Sequence, residues 1–339
     1  MMRLRGILRD LGRELGEISR RKRIAIASHP SADPDSLSSA VAISLVSISS
    51  SGKPACYAPG SFDTISSMLF KETVSRGYIE PCPSSLGEEG VLVIVDAPSC
   101  GRASINCTGY EAVYLIDHHI PQDPLGIYRG VVEPSASSTT ELCVLMLEEV
   151  SIDIPSSWLA NLLLSGILFD TRGLSMASIA SIEAVRFLMM RGARISDALQ
   201  MIRRAPEISE RIARVKAMSR VRAYRAGGII VCITHVGAYE ASAAQILIGI
   251  GCDLALVISE RNDSMRIVAR CSEDLCRNRG LDEIILSDLT RIYGGGWGGH
   301  RQAAVASIKS PGGFEEILGK ILEILRGKLG ERLRPLDSG

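Results

Sequence analysis

Apolar and polar positions along this chain fall into two kinds of block. Residues 24–28, 91–96 and 113–117 are short apolar runs, rich in β-branched residues and bounded by polar turn formers. Such runs read as strands buried on both faces. Helical stretches separate them, as at residues 36–50. Alternating strands and helices predict a parallel sheet covered on both sides. Helical spacing then dominates from about residue 139 to 223, most clearly at 158–170 and 182–190. A second strand-rich section opens at Gly227-Gly228, with strands expected at 229–234, 254–259 and 265–270 and helices at 238–250 and 281–293. The glycine-rich stretch 294–299 reads as a loop, followed by a strand at 303–308 and an amphipathic helix from 314 to about 329. The tail, 333–339, reads as frayed.

The expected fold class is α/β. A larger parallel-sheet domain covers residues 20–205, a helical linker 206–226, and a smaller mixed α/β domain 227–332. The active site is expected in the cleft between the two domains, with the linker as hinge and closure excluding water.

Composition narrows the choice. The 339 residues are 46% hydrophobic and 22% charged, which suits two globular domains. Basic and acidic residues cancel, 38 against 38. A nucleic-acid partner is therefore small, or held by a local patch. Residues 1–23 alternate charges with Ile7, Leu8, Leu11, Leu15 and Ile18, an amphipathic helix without the continuous apolar core of a signal peptide. The most apolar stretch, 158–169, is interrupted by Asn161 and Ser165 and is too short to span a bilayer. No membrane association is expected. Nine cysteines include no C-x-x-C pair, which argues against a zinc ribbon. Their odd number reads as buried thiols in a reducing compartment, with the cytoplasm as location. Arginine greatly outnumbers lysine, which hints at a thermophile or a GC-rich genome.

The candidate chemistry gathers at strand ends. His29 follows the first expected strand, with Asp33 and Asp35 close behind; Asp96 ends the second; Asp117, His118 and His119 end the third. Carboxyl ends of parallel strands share one edge, where ligands bind. Carboxylates gathered there repel one another, and a cation relieves the repulsion. Imidazole and carboxylate donors without thiolate suit manganese or magnesium before zinc or iron. Asp170 closes an apolar helix, a poor place for an aspartate. Each of these residues alone also fits an ordinary role as turn former, helix cap or core histidine. Their co-occurrence decides, because three of the five histidines lie beside aspartates directly after expected strands.

The ordered set His29-Pro30-Ser31-Ala32-Asp33-Pro34-Asp35, then Asp96, then Asp117-His118-His119, then Asp170-Thr171 resembles the four motifs of the DHH phosphoesterase family. Residues 134–141 resemble the stretch between its third and fourth motifs. The run 294–300, Gly-Gly-Gly-Trp-Gly-Gly-His, resembles the signature of the DHH-associated C-terminal domain, with Arg270 and Ser272 where that domain contacts substrate. One departure is Val305, where the family run often ends in glycine. The resemblance covers about residues 20–330.

It implies two divalent cations, manganese first and magnesium second. His29, Asp33 and Asp96 would hold one; Asp35, Asp96, His118 and Asp170 the other, with Asp96 bridging. Asp117 would orient the histidine beside it, and His119 would face the substrate phosphate as proton donor or stabiliser. Arg270, Ser272, Gly298, Gly299 and His300 would bind the substrate. The implied activity is hydrolysis of short single-stranded oligonucleotides or nucleotides by a water shared between the metals, in the manner of oligoribonuclease-like members. Alternatives are action on 3′-phosphoadenosine 5′-phosphate or linear or cyclic dinucleotides, and, from another class, a non-catalytic nucleic-acid-binding scaffold. RNA against DNA stays open, as does oligomeric state, with a homodimer the commonest arrangement. His235 stands outside these motifs and reads as a surface or domain-interface residue.

Overall fold

The computed structural model describes residues 1–83, 90–120, 128–203, 206–261, 263–277, 279–309 and 312–336. The chain divides into two compact units, Met1–Arg204 and Ala205–Gly339.

The first unit runs α1 (Met2–Ser19), β1 (Ile24–Ala27), α2 (Pro34–Ser51), β2 (Cys56–Tyr57), α3 (Thr64–Ser75), β3 (Glu80–Pro81), β4 (Val91–Val95), β5 (Ala112–Asp117), β6 (Arg129–Val132), α4 (Thr139–Glu149), α5 (Ser157–Asp170), α6 (Ile179–Met189) and α7 (Ile195–Ile202). Its sheet has the order β3-β2-β1-β4-β5-β6, and every pair is parallel. Every residue of β1 and β4 is buried, which is why neither strand alternates apolar with polar. The outer strands left weaker signals, because β2 and β3 have two residues each and β6 contains Arg129 and Gly130. Helix α2 is buried along most of its length despite its serines. Those serines are bonded rather than solvated: Ser38 Oγ donates to the Leu162 carbonyl at 2.8 Å, and Ser44 Oγ accepts the Ala55 N–H at 2.9 Å. Facing Ser38, a Cβ on Gly166 would stand 2.6 Å from the Ser38 Cβ, so the α2–α5 crossing requires glycine.

Helix α1 belongs to this unit, although the sequence placed the domain start at residue 20. Leu8 and Leu15 are wholly buried, and Arg5 reaches Glu148 at 3.0 Å and Glu149 at 2.7 Å on α4.

The second unit contains α8 (Ile208–Ser219), β7 (Arg222–Ala226), β8 (Ile229–His235), α9 (Glu240–Gly249), β9 (Leu254–Arg261), β10 (Ser264–Cys271) and α10 (Glu273–Cys276). A π-helical turn (Asp282–Leu286) then leads into α11 (Ser287–Tyr293), β11 (Gly295–His300), β12 (Ala303–Lys309), α12 (Phe314–Leu329) and β13 (Arg334–Pro335). The sheet order is β11-β12-β10-β9-β8-β7-β13; only the β8–β9 pair is parallel. One face carries Leu254, Leu256, Ile267 and Ala304, packed with α12; the other carries Ala255, Val257 and Val268, packed with α9.

Three expectations differ here. Residues 222–226 of the expected linker are strand β7, hydrogen-bonded to β8; Ala205 lies outside the described residues. The glycine-rich stretch is not a loop but edge strand β11, paired with β12 along its length. Arg334 and Pro335 pair with β7 rather than fraying, whereas 337–339 lie outside the described residues.

The cysteine reading is overturned as well. Disulfides join Cys56 to Cys82, Cys100 to Cys107, Cys232 to Cys252 and Cys271 to Cys276; Cys143 is free and buried. The spacing excludes a C-x-x-C site but says nothing about pairing. Cys56 and Cys82 meet only because β2 and β3 run side by side. No helix among the described residues is long and apolar enough to cross a membrane.

Candidate metal centre

In the six-stranded sheet the chain moves outward one way from β1 to β3 and the other way from β4 to β6. Loops leaving β1 and β4 therefore diverge, and a crevice opens at their carboxyl ends. His29 lies two residues beyond β1, Asp96 is the first residue beyond β4, and Asp117 ends β5. Asp33 is the N-cap of α2 and accepts the Ser36 N–H at 3.0 Å, with Pro34 at the first helical position. The turn-and-cap role and the ligand role thus coincide in one residue. Asp170 is the last residue of α5.

These segments converge. Ligand atoms of His29, Asp33 and Asp96 all lie within 4.8 Å of one another, as do those of Asp35, Asp96, His118 and Asp170. Asp96 belongs to both sets. His29 Nε2 lies 3.3 Å from Asp96 Oδ2, and His118 Nε2 lies 3.4 Å from Asp170 Oδ2 and 3.7 Å from Asp96 Oδ1. Asp96 is buried and holds a left-handed φ of 54°. A non-glycine residue in that conformation stores strain of the kind found at functional sites.

Two observations show that a cation fits. His118 Nε2 is buried without a hydrogen-bond partner and faces carboxylates, which is costly unless something binds there. His29 Nδ1 donates to the Pro30 carbonyl at 2.8 Å, which sets the tautomer and leaves Nε2 to the cluster.

Asp117 does something other than expected. Its Oδ1 accepts the His118 backbone N–H at 2.9 Å and the His119 Nδ1–H at 2.8 Å. It therefore orients the imidazole of His119, not that of His118. The His119 ring is half exposed, and the bond to Asp117 raises its pKa.

Two residues of this centre were missed from sequence. Ser36 Oγ donates to Asp96 Oδ2 at 2.5 Å and lies 2.9 Å from His29 Nε2. Thr139 gives its backbone N–H to Asp35 at 2.8 Å and its hydroxyl to Asp96 at 3.3 Å. Thr139 falls in the 134–141 stretch, the one signal that could have found it.

The electrostatics describe a site that lacks compensating charge. Burial, then the charges of Asp96, Asp170 and Asp33, push the Asp35 carboxyl well above its usual range. Burial and the Asp96 charge push Asp170 up to about 7. Asp33 moves the other way, because contacts with His29 and Ser36 outweigh its burial. Asp33 and Asp96 together push His29 up to about 11.

A pH dependence follows. Asp170 titrates near ~3.9 in the unfolded chain and at about 7 in the fold. Between those values the folded state binds the extra proton, so stability rises as pH falls through that window. The metal-stripped protein should melt higher near about pH 5 than near about pH 8. With Mn²⁺ present the trend should reverse, because protons then compete with the cation. Melting temperatures across that range, with EDTA or Mn²⁺, check both signs.

In the second unit, Arg270 on β10, Ala303 on β12 and His300 on β11 share one register row, so Arg270 and His300 leave the same face of the sheet. Arg270 Nε is buried without a partner. Ser272 is otherwise engaged: its hydroxyl donates to Asp253 at 3.1 Å and caps α10 by accepting the Leu275 N–H at 3.3 Å. His235 ends β8 with its ring against Phe314, centroids 4.6 Å apart.

The two glycines singled out differ. Gly299 has φ 139°, and a Cβ there would stand 2.5 Å from the Ala303 carbonyl oxygen. A Cβ on Gly298 would meet nothing within 4 Å. Gly299→Ala should cost about 1–3 kcal/mol, whereas Gly298→Ala should leave stability unchanged and report on close approach of a ligand. Thermal melts of both variants separate these roles.

Residues 23–167 match the family model described as DHH family, N-terminal domain. That stretch of the chain is similar to a DHH-family N-terminal domain. Three of the four motif segments of the centre fall inside the matched DHH region, and Asp170 lies just beyond it. An uncharacterised protein of Methanocaldococcus jannaschii is 28% identical over 297 residues, covering 86% of this chain and 88% of that one. An exopolyphosphatase-related protein from Bacteroides fragilis shares the fold with a TM-score of 0.55 at 16% identity, covering 95% of this chain and 96% of that one.

Proposed function

We propose that this protein is a two-metal phosphoesterase that hydrolyses short oligonucleotides one nucleotide at a time. The observation that carries the reading is the sharing of buried Asp96 by two separate ligand sets. His29, Asp33 and Asp96 hold one cation; Asp35, Asp96, His118 and Asp170 hold the other. Manganese is the first choice and magnesium the second, given nitrogen and oxygen donors without thiolate. When bound, the two cations supply Lewis acidity to the phosphoryl group and to the attacking water.

The chain's own residues do the rest. Ser36 and Thr139 hold the two oxygens of Asp96 in place. Asp117 fixes His119 through Nδ1, leaving Nε2 as the outward donor. The bond to Asp117 raises the His119 pKa and so favours its protonated form, in which Nε2 also carries a proton. His119 stabilises phosphoryl charge or gives its proton to the leaving oxygen. No side chain is required as nucleophile. Arg270 and His300 hold a substrate phosphate, and Gly298 lets it approach the backbone. Ser272 supports this end through Asp253. The cytoplasm remains the proposed location, since disulfides also occur inside cells of hyperthermophiles.

The test is mononucleotide release from a 5′-labelled RNA pentamer in Mn²⁺, against an EDTA control. Metal-dependent laddering supports the reading, and the label reports polarity. An intact pentamer alongside phosphate release from 3′-phosphoadenosine 5′-phosphate, or cleavage of cyclic dinucleotides, would retain the metal chemistry and replace the substrate. An intact set of all these substrates would favour a nucleic-acid-binding scaffold.

A further inference from the structure

A cavity of about 420 Å³ opens at the other end of β1, lined by Arg20, Arg21, Lys22, Arg23 and Lys53. Among the described residues Glu80 is its only carboxylate. Two of the cations are already matched: Arg23 bonds Glu80 at 2.6 Å, and Lys22 pairs with Glu111. Arg20, Arg21 and Lys53 are exposed and have no side-chain hydrogen bond or ion pair among the described residues. Three positive charges therefore face one small volume in a chain of zero net charge.

A simpler role would be to neutralise the carboxyl ends of α1 and α2, which meet here. Those ends already have donors. The Ile18 carbonyl accepts the N–H groups of Arg21 and Lys22, both at 2.9 Å, and the Ile48 carbonyl accepts that of Gly52 at 2.9 Å. Ser51 Oγ donates to the Ser47 carbonyl at 2.8 Å, and Ser47 Oγ to the Lys53 carbonyl at 2.8 Å. The cations are not needed as caps, and Arg20, Arg21 and Lys53 line the cavity without a partner among the described residues.

We propose that this cavity binds a small anion carrying several phosphates, with Arg20, Arg21 and Lys53 as its charge partners. The volume suits a small ligand, since such pockets run from about 300 to 1,000 Å³. Guanidinium groups offer paired donors to phosphate oxygens. A single phosphate would gain little beside two helix carboxyl ends, whereas a chain of three can span all three cations. The site is distinct from the metal centre. Ile24 at the start of β1 lines the cavity and His29 lies beyond its end, so on the order of 13 Å of strand separates them.

Calorimetric titration of the metal-stripped full chain tests this at low salt, with inorganic triphosphate and with adenosine triphosphate as probes. One saturable site is expected at the cavity, weakened at least about tenfold in Arg21→Ala/Lys53→Ala. Equal affinity for both probes would mean that phosphates alone are read; tighter binding of the nucleotide would mean that the cavity also takes the nucleoside. Both substituted side chains are exposed, so the double variant should keep the wild-type melting temperature. The proposal is overturned by an absence of saturable binding, or by binding that Arg270→Ala abolishes and the double variant leaves intact. Because no metal is present, neither outcome depends on the hydrolytic reading.

Discussion

Asp96→Asn should leave a folded protein whose Mn²⁺-dependent turnover falls by about 1,000-fold or more, roughly 4 kcal/mol of lost transition-state stabilisation. Asparagine is the informative replacement. Asp96 holds a φ of 54°, which asparagine tolerates and alanine resists. The amide keeps the shape and an acceptor for one of the two hydroxyls, its NH2 replacing the other acceptor oxygen, while removing the one charge common to both ligand sets. The charge of Asp96 is among the causes that push Asp35 and Asp170 up. Its loss should therefore hold or raise the melting temperature in EDTA. What should disappear is the added stability on Mn²⁺ addition, because a cation that binds only the folded state stabilises by mass action. Wild-type turnover in this variant would show that Asp96 does not join two cations. A drop in melting temperature in EDTA would mean that its role is structural.

Reduction should be the other large effect. The four disulfides span sequence separations of 26, 7, 20 and 5 residues. Loop-closure entropy assigns each about 2–3.5 kcal/mol. Two lie in each unit, so reduction should cost each unit about 5 kcal/mol. For units of this size that lowers the melting temperature by roughly 10–20 °C. Melts with and without dithiothreitol measure it. Alkylation in denaturant without reductant should label only Cys143, the free and buried thiol. Labelling of all nine cysteines without reductant would show that the thiols are not paired, as their odd number suggested.

The metal centre was largely legible from the chain, because its residues announce themselves by position. His29, Asp96 and Asp117 stand at the ends of apolar runs, and Asp33-Pro34-Asp35 is a cap sequence with an extra carboxylate. Parallel strands then bring such ends together. Ser36 and Thr139 gave no comparable signal, since serine and threonine at a helix start are ordinary capping residues. Only the tertiary distances to Asp96 distinguish them. The glycine run misled for a related reason. Glycine disfavours strands as a local propensity, but β11 is held by its pairing with β12, and Gly299 fits where a Cβ would strike Ala303.

Local periodicity and motif order therefore determined the α/β class and the strand ends, and pointed to the candidate ligand positions, because each motif is read from residues close in sequence. The tertiary structure decided everything that depends on partners far along the chain. That includes which cysteines pair, the rotation of Asp117 toward His119 and the burial that lifts Asp35. It also brings Lys53 to the Arg20–Arg23 turn, because β2 lies beside β1. Sequence separation carries no information about such neighbours; strand order does.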